Sequence, residues 1–479
     1  MENMSALSGL RSLLPEITLL ATAALAMIVH LFVSKRGVRL ARLVSVAGFI
    51  AALAVFIFTP RNQAAVYAGS LAFDSFAFYF KSIVLIAGVL TLVLSFRFFD
   101  VEKSEPGEIY YLLPLTVIGT MAAVSSVDLV STYVSFELFA IPSYILAGIF
   151  KKELRSVEAG VKYFFLGTLS SGIMLLGMAL VFGLTGETSY AGAAKMIPGA
   201  SGRVALIGML LFFTGLFFKA ALVPFHMWAP DVYEGAPTPL VVFLSTAPKV
   251  AVFGILIRLM LTVFGGFEAQ WGRLFGTIAI ATMFWGNIAA LGQKNIKRLM
   301  AYSSIAQAGY LAIGLAAWGE SAQVAVLYYL PAYLFMNAAA FGLILLFRKG
   351  RGFGEEIDDA RGLARRSPFL AGCVLVVLLS LTGIPPTAGF MGKYFLFTAA
   401  MEKGLYVLAA AGALNSVISL FYYFRIGRAM FMEDTPSEVR VEPSLPVTLV
   451  LAVSAGALLV LGLFPSLLAE IAAAASVLK

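Results

Sequence analysis

Long apolar runs separated by short charged loops set the pattern of this 479-residue chain. Runs of about 17–25 mostly apolar residues are long enough to span a bilayer as helices. They fall near 13–33, 41–59, 75–98, 109–125, 128–150, 157–182, 204–235, 239–264, 271–291, 297–317, 323–348, 368–402, 405–430 and 445–470. The pattern therefore predicts an all-α membrane protein with about fourteen transmembrane helices. The seventh and twelfth runs are over-long and broken by proline, at Pro224 and at Pro385–Pro386. Near the N-terminus, ATAALA at 21–26 looks like a cleavage site, but apolar residues continue through Met27–Val33, so the run reads as an uncleaved first span.

The two broken runs lie five spans apart. This spacing suggests an N-terminal group of three helices (1–108), a five-helix repeat (109–264), a second five-helix repeat (265–430) and a final helix (431–479). A unit with an odd number of spans must be inverted in its second copy, as in inverted-repeat transporters. The positive-inside rule then sets orientation. Of 34 Lys and Arg, 21 fall in the loops after odd-numbered spans, 7 in the termini and opposite loops, and 6 within spans. Both termini are thus expected on the non-cytoplasmic side of a bacterial inner membrane.

Composition agrees with the pattern. Hydrophobic residues make up 60% of the chain and charged residues 13%, about half the charged share of a soluble domain. The net charge of +8 is scattered through short loops, so it points to no nucleic acid partner. One cysteine, Cys373, and two separated histidines, His30 and His226, supply neither a cluster nor a metal-site spacing. The chain is expected to carry no cofactor, metal or redox centre, and its environment is the lipid bilayer.

Charges inside spans carry the candidate chemistry, because each is costly at membrane depth. Glu137, in DLVSTYVSFELFAIPSY, lies near the midplane of its span; the structural alternative is a carboxylate satisfied by a neighbouring hydroxyl, a job that a neutral glutamine could do without the charge penalty. Lys219 precedes the Pro224 break, where carbonyls freed from the helix, with water, are expected to solvate it. Lys249 lies well inside the eighth run, and Lys393 follows the double proline in GIPPTAGFMGKYFLF. Burial favours the neutral form of a lysine, which suits proton transfer, whereas arginine stays charged. The bland reading of all three is a side chain reaching to the interface. His226, in the seventh-run break, is either a relay between Lys219 and Lys249 or a histidine held by broken backbone.

Other polar positions read as structural. Lys81 and Arg258 look like residues reaching to the interface, and Lys162 with Glu158 like a surface helix pair. Asp128, Asp231 and Glu234 look like helix-end caps. Tyr302, Ser303, Ser304 and Gln307 form a polar patch that either holds water or joins helices.

VYEGAPTPLVVFLSTAPKVA, NIKRLMAYSSIAQAGY and GIPPTAGFMGKYFLF closely resemble the subunit N family of proton-pumping NADH:quinone oxidoreductase, respiratory complex I. The resemblance covers about 110–430. It implies an antiporter-like subunit of fourteen helices, with Glu137 and Lys219 as a charge pair, Lys249 as the central lysine and Lys393 as the terminal one. Subunit M would carry glutamate at the position of Lys393, and subunit L a long lateral helix at its end. The resemblance also implies other membrane-arm subunits as partners, with NADH and quinone handled elsewhere. The expected function is proton translocation: ionised Glu137 holds the Lys219 proton by attraction, and weakening the pair sends it through Lys249 towards Lys393. The alternatives are an Mrp-type cation/proton antiporter subunit and a structural subunit that conducts nothing.

Overall fold

The protein is described by a computed structural model covering residues 9–476, except 34–35, 60–62, 67–68, 103, 200–201, 348–353 and 435–442. Among the loop and terminal cations counted above, Lys35, Arg61, Lys103, Arg348, Lys349, Arg351, Arg440 and Lys479 lie outside the described residues. Twelve described helices are long and apolar enough to cross a membrane, and three shorter apolar helices accompany them. Each apolar run falls on one helix or on a helix pair divided by a break. The chain is a multi-pass helical membrane protein.

Contacts divide the chain into two compact units. The first holds α1 (Leu14–Phe32), α2 (Gly37–Ile57), α4 (Ile109–Ser125), α5 (Leu129–Ala147), α6 (Leu154–Thr185), α7 (Tyr190–Met196) and α8 (Gly202–Ala220). It also takes the first half of α3 (Ser75–Glu102), through Val89, and the second part of α10 (Thr238–Leu261). Lipid gives helices no hydrophobic reason to pair, so close backbone approach through small residues does the work. A Cβ on Gly177 of α6 would lie 2.2 Å from the Phe212 nitrogen of α8, and one on Gly119 of α4 would lie 2.5 Å from the Phe139 nitrogen of α5. Sequence reading missed a short antiparallel hairpin, β1 (Gln63–Val66) and β2 (Leu71–Phe73). It is tied down where the Val127 N–H donates to the Ser70 carbonyl at 3.0 Å.

The second unit holds α9 (Trp228–Gly235), the start of α10, α11 (Glu268–Leu291), α12 (Ile296–Ala317), α13 (Glu320–Phe347) and α14 (Leu363–Arg366). It continues with α15 (Pro368–Thr382), α16 (Ala388–Glu402), α17 (Tyr406–Met432), α18 (Leu445–Leu463) and α19 (Ser466–Ala475). Helices that are apolar all round should be buried. The most apolar stretches of α10, α12 and α13 are 100%, 94% and 89% buried, against 33% and 28% for α1 and α2. Lys249 of α10 thus sits on a core helix.

Both foreseen breaks are real, and each starts before its proline. The residue after α8, Ala221, adopts φ +57°, and the residue after α15, Gly383, adopts φ +89°. Gly383 forms a left-handed cap in which the Ile384 N–H donates back to the Leu379 carbonyl at 2.9 Å. A third break, not foreseen, divides the last run at Pro465, where α18 stops and α19 starts. Proline lacks the N–H that would continue the ladder.

Candidate functional site

In the first unit, α8 ends one residue after Lys219, which is fully buried. The freed-carbonyl cradle expected for this lysine is not what holds it. Its Nζ donates to the Tyr163 hydroxyl at 3.1 Å and lies 4.3 Å from the Tyr144 ring centre and 4.4 Å from that of Tyr163. Phe139 and Phe136 complete an aromatic box at 5.6 and 5.8 Å. Ring faces are electron-rich and stabilise an ammonium that water does not reach. Glu137 and Tyr144 both come from α5, and Gly167 of α6 leaves room for the Tyr144 hydroxyl, which a Cβ there would meet at 2.3 Å.

Glu137 does not touch Lys219. It acts on the ammonium through space, while its Oε1 is buried without a hydrogen-bond partner among the described residues. An unpartnered buried acceptor is expensive to maintain, and a charge pair held apart is weaker than one in contact. Lys249, also in this unit, is fully buried on α10 one residue after Pro248. The interface-reaching alternative fails for both lysines on burial alone.

In the second unit, Lys393 is 3% exposed and held by freed backbone. Its Nζ donates to the Leu381 and Thr382 carbonyls at 3.0 and 2.9 Å, the last carbonyls of α15. The macrodipole makes such a helix end partly negative, so it suits a cation. The Tyr310 ring centre lies 4.2 Å from Nζ. Gln307 shares the Leu381 carbonyl at 3.1 Å and accepts from the Tyr329 hydroxyl. Ser303 bonds Tyr423, and Ser304 bonds Tyr333. The predicted polar patch therefore joins helices beside Lys393. Tyr302 is the exception, since it faces the Arg298 guanidinium at 6.0 Å. His226 is buried against Trp285, ring centres 5.3 Å apart, in the segment joining α8 to α9.

Several structural readings need correction. Lys81 does not reach to the interface: it is 3% exposed, and its Nζ lies 2.7 Å from Glu16 Oε1. Arg258 is 6% exposed, grips Asp74 with two N–H donors at 2.9 and 2.7 Å, and donates Nε–H to the Val124 carbonyl. Burial pushes the Asp74 carboxyl up, but the Arg258 hydrogen bonds and charge outweigh it and hold the group below its ordinary 3.8. Asp231 and Glu234 are not caps. Both accept from Arg298 at 2.8 Å, and Lys297 donates to the Glu234 and Ala236 carbonyls at 2.6 and 2.9 Å. Asp128 does cap α5, accepting from the Val130 and Ser131 N–H groups, and Lys162 pairs with Glu158 at 2.6 Å.

Sequence reading missed the aromatic partners and Glu16. Tyr144 carried a usable signal, since it lies two turns beyond Glu137 on the same helix. Glu16 also stood out as an acid within an apolar run. Tyr163 had none, being one aromatic among many.

The family described as NADH:quinone oxidoreductase/Mrp antiporter, transmembrane, matches residues 126–419. A NADH-quinone oxidoreductase subunit N of Trichlorobacter lovleyi is 39% identical over 471 residues, 97% of this chain and 96% of that protein. Another, from Moorella thermoacetica, is 41% identical over 437 residues and 90% of each chain. Among solved structures, a chain of respiratory complex I from Thermus thermophilus with bound aureothin matches with TM-score 0.81 at 30% identity, over 96% of this chain and 100% of that one. A chain of an archaeal membrane-bound sulfane sulfur reductase shares the fold, with TM-score 0.85 at 24% identity over 97% and 96% of the two chains. With the family pattern covering most of the helices and full-length relatives this similar, the chain belongs to the NADH:quinone oxidoreductase/Mrp antiporter transmembrane family.

Proposed function

We propose that this chain is a subunit N-type membrane-arm component of an NADH:quinone oxidoreductase and that it translocates protons through its buried charged side chains. The observation that carries the reading is the burial of three lysines, Lys219, Lys249 and Lys393, at 0%, 0% and 3% exposure. Lysines buried this deeply are costly as structure and useful as proton carriers. The relatives above, alike over 90% or more of their length, bear the subunit N name, which supports NADH oxidation and quinone reduction in neighbouring subunits.

In this reading Glu137 sets how firmly Lys219 keeps its proton. The two groups are not in contact, so a small movement of α5 or α8 changes their attraction appreciably in a medium of low dielectric. Lys249 carries the proton onward, and Lys393 exchanges it from its carbonyl cradle. His226 is a candidate relay. The chain lies in the bacterial inner membrane with both termini outside, as the loop cations argue.

The test is NADH-driven proton pumping in vesicles carrying complexes with Glu137→Gln or Lys393→Met. Normal assembly with reduced proton yield is expected for both. Full stoichiometry from both assembled variants contradicts the reading.

A further inference from the structure

The steps above give Gln307 no part, although it reaches into the socket of Lys393 in the second unit. At the end of α15, the Gly383 and Ile384 N–H groups turn back to the Leu379 and Ser380 carbonyls. The Leu381 and Thr382 carbonyls are thereby left to side chains. Thr382 receives Lys393 alone among the described residues, at 2.9 Å. Leu381 receives two donors, Lys393 Nζ at 3.0 Å and Gln307 Nε2 at 3.1 Å. A carbonyl oxygen has two lone pairs and can only accept, so this contact fixes which end of the amide faces it. The other end accepts from the Tyr329 hydroxyl, and Nε2 also approaches the Tyr423 hydroxyl at 3.5 Å. Gln307 is 1% exposed, and these partners from three helices hold it in one orientation.

We propose that Gln307 is a positioning residue that sets how readily Lys393 releases its proton, an inference that rests on the translocation reading. Two donors on one oxygen share its electron density, so the amide loosens the hold of Leu381 on the ammonium. Once the proton has left, the neutral amine binds the carbonyls less strongly. The amide then keeps the Leu381 oxygen bonded, where a buried acceptor left unpaired would be costly. The socket thus keeps one shape in both protonation states. The titratable groups facing it are hydroxyls: Tyr310 on α12, with its ring centre 4.2 Å from Nζ, Tyr329 on α13 and Tyr423 on α17. On α15 the titratable side chain is Cys373, about 12 Å along the helix from Leu381, and α18 carries none. Lys393 itself meets carbonyls and a ring, with no carboxylate in contact among the described residues.

The experiment uses vesicles carrying the whole complex with Gln307→Met, Gln307→Glu or Lys393→Met. NADH-driven pumping is followed across pH, with assembly and melting temperature measured in parallel. Methionine keeps the length and removes the donor, so Leu381 holds the ammonium more firmly and release needs a higher pH. The pH of half-maximal pumping should rise by about half a unit or more. Glutamate keeps the Tyr329 contact but sets a carboxylate beside Lys393, so a larger rise is expected. It stands in if Gln307→Met fails to assemble. A residue that only joined helices would be replaced by protonated glutamate with no change of profile. An unchanged or acid-shifted profile in the assembled Gln307 variants, whatever their melting temperature, overturns the positioning role alone if Lys393→Met no longer pumps. Full pumping by Lys393→Met overturns the translocation reading beneath it.

Discussion

At the scale of single residues, a buried cation is defined by what replaces its water. Lys219 has one hydroxyl and a set of rings, whereas Lys393 has two carbonyls and one ring. A hydrogen bond to a charged group contributes about 1.5–3 kcal/mol, so Tyr163→Phe should weaken the hold on the Lys219 proton by about tenfold or more. Tyr144→Phe keeps the ring and removes a hydroxyl without a hydrogen-bond partner among the described residues, so pumping rates should separate the two variants clearly. Equal rates would show that the hydroxyl of Tyr163 is idle. Asp74 allows a second prediction. Its folded value lies below its unfolded one, so its contact adds stability above the unfolded value and loses it as pH falls through the folded one. Hydrogen exchange at the Ala77 N–H, which donates to Asp74 at 2.8 Å, should accelerate on acidification below about pH 4. Arg258→Lys loses the two-pronged grip and should show fast exchange already at neutral pH. Unchanged protection in that variant would contradict the assignment. The candidate residues Glu137, Lys219, Lys249 and Lys393 were legible because a charge in an apolar run stands out. Partners were not, since Arg258 and Asp74 lie 184 positions apart and no local pattern links them.

At the scale of elements, the two breaks are built differently. After α15 a glycine takes the left-handed conformation, while after α8 an alanine does so, at a cost of about 1–2 kcal/mol. Across the second break, Gly389 N–H donates to Ser380 Oγ at 3.0 Å, and a Cβ on Gly389 would lie 1.9 Å from the Ser380 carbonyl oxygen. Gly389→Ala must therefore push α16 away from α15, taking Lys393 from the Leu381 and Thr382 carbonyls. Reduced thermal stability of the purified complex is expected together with lost pumping; a variant with normal melting and pumping would show that the close approach is dispensable. Prolines made both of these breaks readable in the sequence. The β1–β2 hairpin was not readable, because three- and four-residue strands offer too little alternation to register. Pro465 was overlooked because the apolar run around it continues unbroken.

At the scale of the molecule, lipid as solvent explains both the legible and the illegible parts. Spans were predictable because each needs a long apolar stretch, and their membrane class followed from composition. Which helices form the core was not predictable, since apolar faces meet lipid and protein alike; burial of α10, α12 and α13 emerges only from packing. That burial also gives Lys249 its meaning, as a fully enclosed cation on an enclosed helix. Translocation through the core stands or falls with that residue. NADH-driven proton pumping in vesicles carrying Lys249→Ala, with assembly of the complex checked in parallel, is the most direct measurement. An assembled complex that no longer pumps is the predicted result. An assembled complex that pumps at the wild-type rate would contradict translocation through this lysine and leave the buried charges a structural role.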